Sequence, residues 1–183
     1  MSNDWGTPQA LVNLLNDEFG FTIDVCASPE NAKVGRFFGP PGCGGGRWHM
    51  NGLFWCIAED GLAQSWRGKT FWMNPPFSDL PKWIGKASTP GLRGVGLLKV
   101  DTSTLWWRRV ADTAKEIRFM KRIRFVGADQ TCNFATALVV WDGRGGKGGP
   151  RYSYMELPPE ALGRKTKDED QLKRIFADTR YAL

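Results

Sequence analysis

The 183-residue sequence has a single histidine, His49, and only four cysteines, Cys26, Cys43, Cys56 and Cys132, none of them in a Cys-x-x-Cys pair. Common zinc templates rest on closely spaced pairs of such ligands and are therefore excluded. A Cys43/His49/Cys56 zinc site is conceivable, but its spacing fits no common template, and the expectation is a protein that binds no metal. Thiols of this kind are expected to be reduced and mostly buried, as in cytoplasmic proteins. No apolar run approaches the ~20 residues of a membrane-spanning helix. No secretory leader is visible either, so a cytoplasmic location without membrane association is expected.

Aromatic rings and positive charge are what the chain does have: nine Trp, eleven Phe and a net charge of +6. The hydrophobic share of 42% and charged share of 24% are those of an ordinary soluble domain. The length suits one domain with a sizeable core. Between Arg93 and Arg124 lie nine basic and three acidic residues, which accounts for the whole positive excess. A concentrated basic segment suggests a phosphate backbone as partner, although a solvated helix face explains any one of these charges equally well. Arg108, Arg109, Lys121, Arg122 and Arg124 are the candidate contacts.

Residues 8–19 read as an amphipathic helix with Thr7 as N-cap, Pro8 at the first helical position and Leu11, Val12, Leu14 and Leu15 on its apolar face. Gly20 ends it, and residues 21–26 read as a buried strand. A turn at residues 28–32 could begin a short helix. The stretch Gly39 to Gly46 holds five glycines and two prolines, which excludes regular structure and predicts a mobile loop. With Arg47 and Trp48 it is a candidate wedge or recognition element. Residues 59–66 read as a turn into a short amphipathic piece. Strands are expected at 70–73, 94–100, 117–120, 123–126 and 135–141. Helices are expected at 81–87 and from a cap at Thr102 or Ser103 to about residue 114. The domain is drawn at 1–157, with a polar tail at 158–183 holding one helix at 168–178. Alternating strands and helices predict an α/β fold with a mainly parallel sheet, and the β-rich last third suggests an antiparallel closing strand.

The most informative feature is Asn74-Pro75-Pro76-Phe77, directly after the apolar run Thr70-Phe71-Trp72-Met73. Proline has a fixed φ and no N–H, and it drives the preceding residue out of helical space. The strand must end in a rigid elbow that carries a side-chain amide, carbonyls no helix will claim and an aromatic ring. Such an elbow can hold a planar exocyclic amine: acceptors for its two N–H bonds and a ring to stack on the base.

This tetrapeptide resembles the catalytic motif of S-adenosylmethionine-dependent amino-methyltransferases, and the chain from Trp5 to about Trp141 is similar to the phage-type DNA adenine-N6 methylases (Dam-like). The resemblance implies a Rossmann-like methyltransferase fold, S-adenosylmethionine as cofactor, double-stranded DNA as partner and a phage or prophage gene acting in a bacterial cytoplasm. It implies that Asn74, Pro75, Pro76 and Phe77 are catalytic. It also implies cofactor contacts in three segments. Trp5-Gly6-Thr7-Pro8 would place Thr7 against the methionine carboxylate. Asp24-Val25-Cys26-Ala27 stands where typical methyltransferases have a Gly-rich loop, with Asp24 suited to the ammonium or ribose hydroxyls and Cys26 and Ala27 permitting close approach. Asp60-Gly61-Leu62, fourteen residues before Asn74, would accept a hydrogen bond from the cofactor's adenine amine and pack Leu62 on its ring. Leu98 to Trp107 resembles the segment after the next strand, with Lys99 where proline is usual.

The expected activity is methyl transfer to N6 of an adenine swung out of duplex DNA. No Pro-Cys nucleophile is present in a suitable context, which argues against methylation of cytosine C5. Two alternatives stay open: an amine methyltransferase acting on RNA adenine or protein glutamine, and a non-catalytic DNA-binding relic of the fold.

Overall fold

A computed structural model of the chain describes residues 6–144 and 148–164. Helix α1 (Gln9–Phe19) precedes β1 (Ile23–Asp24), β2 (Arg36–Gly39), β3 (Arg47–His49), β4 (Phe54–Glu59) and β5 (Thr70–Met73). Then come α2 (Leu80–Ala87), β6 (Arg93–Lys99), α3 (Leu105–Thr113), β7 (Glu116–Met120), β8 (Thr136–Asp142) and β9 (Arg151–Met155). All nine strands join one sheet in the order β3-β4-β2-β1-β5-β6-β8-β7-β9. Strands β4, β2, β1, β5 and β6 run parallel, and β8 lies antiparallel between β6 and β7. This is the expected Rossmann-like α/β sheet, and β8 is its antiparallel closing strand.

Successive residues of a strand face opposite sides, and that period sorts the core into two layers. Phe71, Met73, Val139 and Trp141 meet α2 and α3 through Trp83, Ile84, Trp107 and Val110. Trp72, Val95, Leu97, Leu138 and Val140 meet Leu11, Val12 and Leu15 of α1 on the other face. Strand order reverses between β1 and β5: the chain winds outward from β1 to β2 and β4, and from β5 the other way to β6. Such a switch point opens a crevice at the carboxyl ends of the two strands.

Several local expectations need correction. Helix α1 starts at Gln9 with Pro8 as N-cap, so the Thr7 hydroxyl does not cap it. Helix α3 is capped by Thr104, whose Oγ1 accepts the Trp107 N–H at 3.3 Å, rather than by Thr102 or Ser103. The strand expected at 123–126 is reduced to one bridge between Gly6 and Val126. Its backbone donors go elsewhere, Arg124 to the Leu162 carbonyl and Val126 to that of Gly6. Leu157, Ala161 and Leu162 are buried in the layer that holds α1. The helix expected at 168–178 lies outside the described residues. Within the basic segment, Arg118 belongs to the scaffold. Its guanidinium grips Glu18 through two bonds of 2.6 Å and reaches the buried Glu116 at 3.0 Å.

Candidate active site

Carboxyl ends of four parallel strands open on one cavity of about 390 Å³, within the range of roughly 300–1,000 Å³ usual for small-molecule sites. Past β1 the chain supplies Val25 to Ser28, past β2 Pro40 and Pro41, past β4 Asp60 to Leu62, and past β5 Asn74 and Pro76. Helix α2 adds Trp83.

The elbow stands where the sequence places it. Phe71, Trp72 and Met73 are wholly buried, so β5 ends on a rigid base, and Pro75 is buried behind Asn74. Asn74 lines the cavity at the switch point. Phe77 is half-buried and meets Phe134 edge-on, with centroids 5.1 Å apart. Its ring is thus propped by a second aromatic that the sequence reading had not singled out.

Asp60 both caps a turn and lines the cavity. Its Oδ1 accepts from the Leu62 and Ala63 N–H groups at 3.1 and 3.3 Å. Gly61 packs against β1 so closely that a Cβ would collide with the Val25 carbonyl oxygen. Trp66 Nε1 donates to the Gly61 carbonyl at 2.8 Å, and Lys86 Nζ donates to the carbonyls of Leu62 and Gln64. Lys86 and Trp83 were not anticipated, and a lone lysine or tryptophan on a short helix carries no signal of such a role.

Asp24, Cys26 and Thr7 come together behind the cavity. They line a void of about 10 Å³, roughly one water in size, which shares Cys26, Asn31 and Asn74 with the cavity. Asp24 is nearly inaccessible, and its two oxygens accept from the backbone N–H groups of Cys26 and Lys33 at 3.3 and 3.2 Å. Burial outweighs those bonds and the nearby Lys33 charge, and pushes the carboxyl up to about 7. The Cys26 thiol is likewise pushed up, by burial first and then by Asp24, with a hydrogen bond from the Asn74 backbone opposing. Thr7 Oγ1 is buried with no partner among the described residues, an open hydrogen-bonding valence at the back of the site. Ala27 is buried beside the cavity, and Trp5 lies outside the described residues.

Of the candidate nucleic-acid contacts, Arg108 and Arg109 are exposed on α3, Lys121 and Arg122 are exposed after β7, and Arg124 is half-buried. Arg108 faces Asp112 at 4.0 Å and Lys121 faces Glu156 at 3.4 Å. The glycine-rich loop contributes Pro40 and Pro41 to the cavity wall, and Gly42 and Gly44 donate to the Glu59 carboxylate at 3.0 and 2.8 Å. It also delivers Cys43 to His49 and Cys56, a convergence that linear spacing conceals. No helix among the described residues is long and apolar enough to cross a membrane.

A solved modification subunit of a putative type I restriction enzyme from Vibrio vulnificus YJ016 superposes with a TM-score of 0.51 at 11% identity, over 98% of this chain and 54% of that one. A predicted O-methyltransferase, protein Atu636 from Agrobacterium tumefaciens, gives 0.48 at 13% identity over 92% and 95%. By sequence, the chain is 30% identical over 167 residues to the DNA N-6-adenine-methyltransferase of Haemophilus phage HP1 (strain HP1c1), covering 84% of this chain and 86% of that protein. The family model for DNA N-6-adenine-methyltransferase (Dam) matches residues 1–143. With the Asn-Pro-Pro-Phe elbow on the rim of a methyltransferase-type crevice, this chain belongs to the DNA N-6-adenine-methyltransferase (Dam) family.

Proposed function

We propose that the cavity binds S-adenosylmethionine and that the elbow presents the N6 amine of an adenine, flipped from duplex DNA, for methylation. The observation that carries this reading is the position of Asn74-Pro75-Pro76-Phe77 at the switch point, on the rim of a cavity that fits the cofactor. Three features speak for the fit. The Phe38, Leu62 and Trp83 side chains offer apolar walls to a purine. Gly61 lets its turn seat directly against Val25, which brings Asp60 and Leu62 to the cavity. The Thr7 hydroxyl, without a partner among the described residues, and the Asp24 carboxyl give the cavity a polar back on the side where an amino-acid tail would lie. Asp60 accepts from the purine amine.

When bound, S-adenosylmethionine supplies an electrophilic methyl on a sulfonium whose leaving thioether is neutral. Positioning is then the chief task of the protein. An adenine N6 lone pair is delocalised into the ring and is a poor nucleophile. Asn74 Oδ1 and the Pro75 carbonyl accept both N–H bonds, which draws N6 towards sp³ geometry and localises the pair. Phe77, held by Phe134, stacks on the flipped base, and exposed cations such as Arg109 and Arg122 hold the phosphate backbone.

Transfer of labelled methyl from S-adenosylmethionine to unmethylated duplex DNA, followed by digestion to nucleosides, tests this. Label in N6-methyladenosine supports the reading. Label in another base, or acceptance only by RNA or protein, overturns it.

A further inference from the structure

We propose that Cys43, His49 and Cys56 form a zinc site that staples the glycine-rich loop to the edge of the sheet and so fixes one wall of the cavity. The two thiol sulfurs and an imidazole nitrogen lie within 4.8 Å of one another. Metal bonds of about 2.0–2.3 Å place tetrahedral ligand pairs roughly 3.3–3.8 Å apart, so small side-chain rotations close the sphere around one ion.

The topology explains the convergence. Strands β3 and β4 pair antiparallel with Arg47 opposite Cys56 and His49 opposite Phe54, so His49 and Cys56 are diagonal neighbours on one face. Phe37 of β2 lies opposite Cys56 on its other side and meets the His49 ring edge-on at 5.8 Å, which marks that face as the inward one. The third ligand comes from the loop. A Cβ on Gly39 would collide with the Cys43 sulfur and lie 3.1 Å from that of Cys56. Glycine at this position is what lets both sulfurs gather over the backbone.

Two observations point to a ligand rather than to ordinary packing. His49 Nε2 is buried with no partner among the described residues, although a buried imidazole nitrogen is normally satisfied. The apolar cluster around Cys56 is also small, with Ala27, Ala32 and Phe37 as its other buried members. Meanwhile Trp48, Met50 and Leu53 of the β3–β4 hairpin are more than half exposed. Hydrophobic burial leaves this hairpin weakly held, and a metal cross-link supplies the missing restraint. Two thiolates and an imidazole are a donor set that selects zinc, with a water as fourth ligand. The link to the cavity is short. Pro40 and Pro41 line it just before Cys43, and the Gly39 carbonyl accepts from the Asp60 N–H at 2.9 Å.

The test is metal stoichiometry in protein purified under reducing conditions, read by elemental mass spectrometry and by the thiolate-to-cobalt absorption after titration with Co(II). One zinc per chain is expected, lost in Cys43→Ala and in His49→Ala and kept in Cys132→Ala, which lies in a different cluster. Cys43 sits on an exposed loop, so its variant should fold, and circular dichroism checks that it does. Reduced wild type that takes up neither metal overturns the proposal, as does Cys43→Ala that retains one equivalent. A Cys43–Cys56 disulfide whose reduction confers no metal binding overturns it too. Because the readout needs neither cofactor nor DNA, its failure is distinguishable from failure of the methyl-transfer reading.

Discussion

On one side of the cavity, β5 and the elbow stand on Phe71, Trp72 and Met73, all at 0% exposure, with Pro75 buried behind Asn74. On the other side, Pro40, Pro41 and the Asp60–Leu62 turn are held by polar staples: the Glu59 carboxylate on Gly42 and Gly44, Asp60 on Leu62 and Ala63, and Lys86 on two carbonyls. The first wall derives its rigidity from a close-packed core, which resists displacement. The second adds to its packing a set of individual hydrogen bonds to backbone groups. The two walls of the cavity therefore differ in what holds them.

Substitutions can break this contrast, and the largest effect is expected at the fixed wall. Asn74→Ala should lower methyl transfer by about a thousandfold or more, in line with loss of one polarising group in a preorganised site. Its thermal midpoint should remain that of wild type, because Asn74 is only half-buried at the end of β5. Asp24 comes next. Its folded pKa of about 7 lies above the ordinary 3.8, so the folded protein binds the extra proton between about pH 4 and pH 7. Stability present at low pH should therefore fall as pH rises through that window, by an amount on the order of 2–4 kcal/mol. In Asp24→Asn the thermal midpoint should lose that decline, and an unchanged slope would show that Asp24 is not the group responsible.

At the hydrogen-bonded wall, Gly61→Ala should cost about 1–3 kcal/mol in denaturant unfolding through overpacking against the Val25 carbonyl. Cofactor affinity should fall with it. Glu59→Gln should leave the fold intact and raise the cofactor Kd by less than about tenfold, since the staple it weakens is solvent-exposed. The smallest effect is expected for Arg109→Ala and Arg122→Ala. Each should reduce the salt dependence of DNA binding by about one ion in slope without changing sequence preference.

What could be read from the sequence follows the same division. Strands β5, β6 and β8 were legible because long buried runs such as Thr136–Asp142 leave a strong β signal. The elbow was legible because two prolines permit few conformations. Strands β2, β3, β4 and β9 were not read. β3 and β9 form the sheet edges and are largely exposed, and β4 was missed although Phe54 to Ala58 is a continuous apolar run. The glycine-rich loop looked unstructured because its order comes from Glu59, fifteen to seventeen residues away. Cys43, His49 and Cys56 were named from the sequence but set aside on their spacing, since strand pairing rather than sequence spacing brings them together. Thr7 was read as a helix cap, but Pro8 takes that place and leaves the hydroxyl at the back of the site.

The central claim is that chemistry resides in the elbow while the opposite wall binds the cofactor. Parallel measurement of S-adenosylmethionine affinity by calorimetry and of methyl transfer to duplex DNA, in Asn74→Ala and Asp60→Asn, tests it most directly. The account predicts that Asn74→Ala keeps cofactor affinity within a few-fold and loses transfer, whereas Asp60→Asn loses affinity and recovers transfer at high cofactor concentration. Transfer retained in Asn74→Ala, or an affinity loss there as large as the loss of transfer, would contradict it.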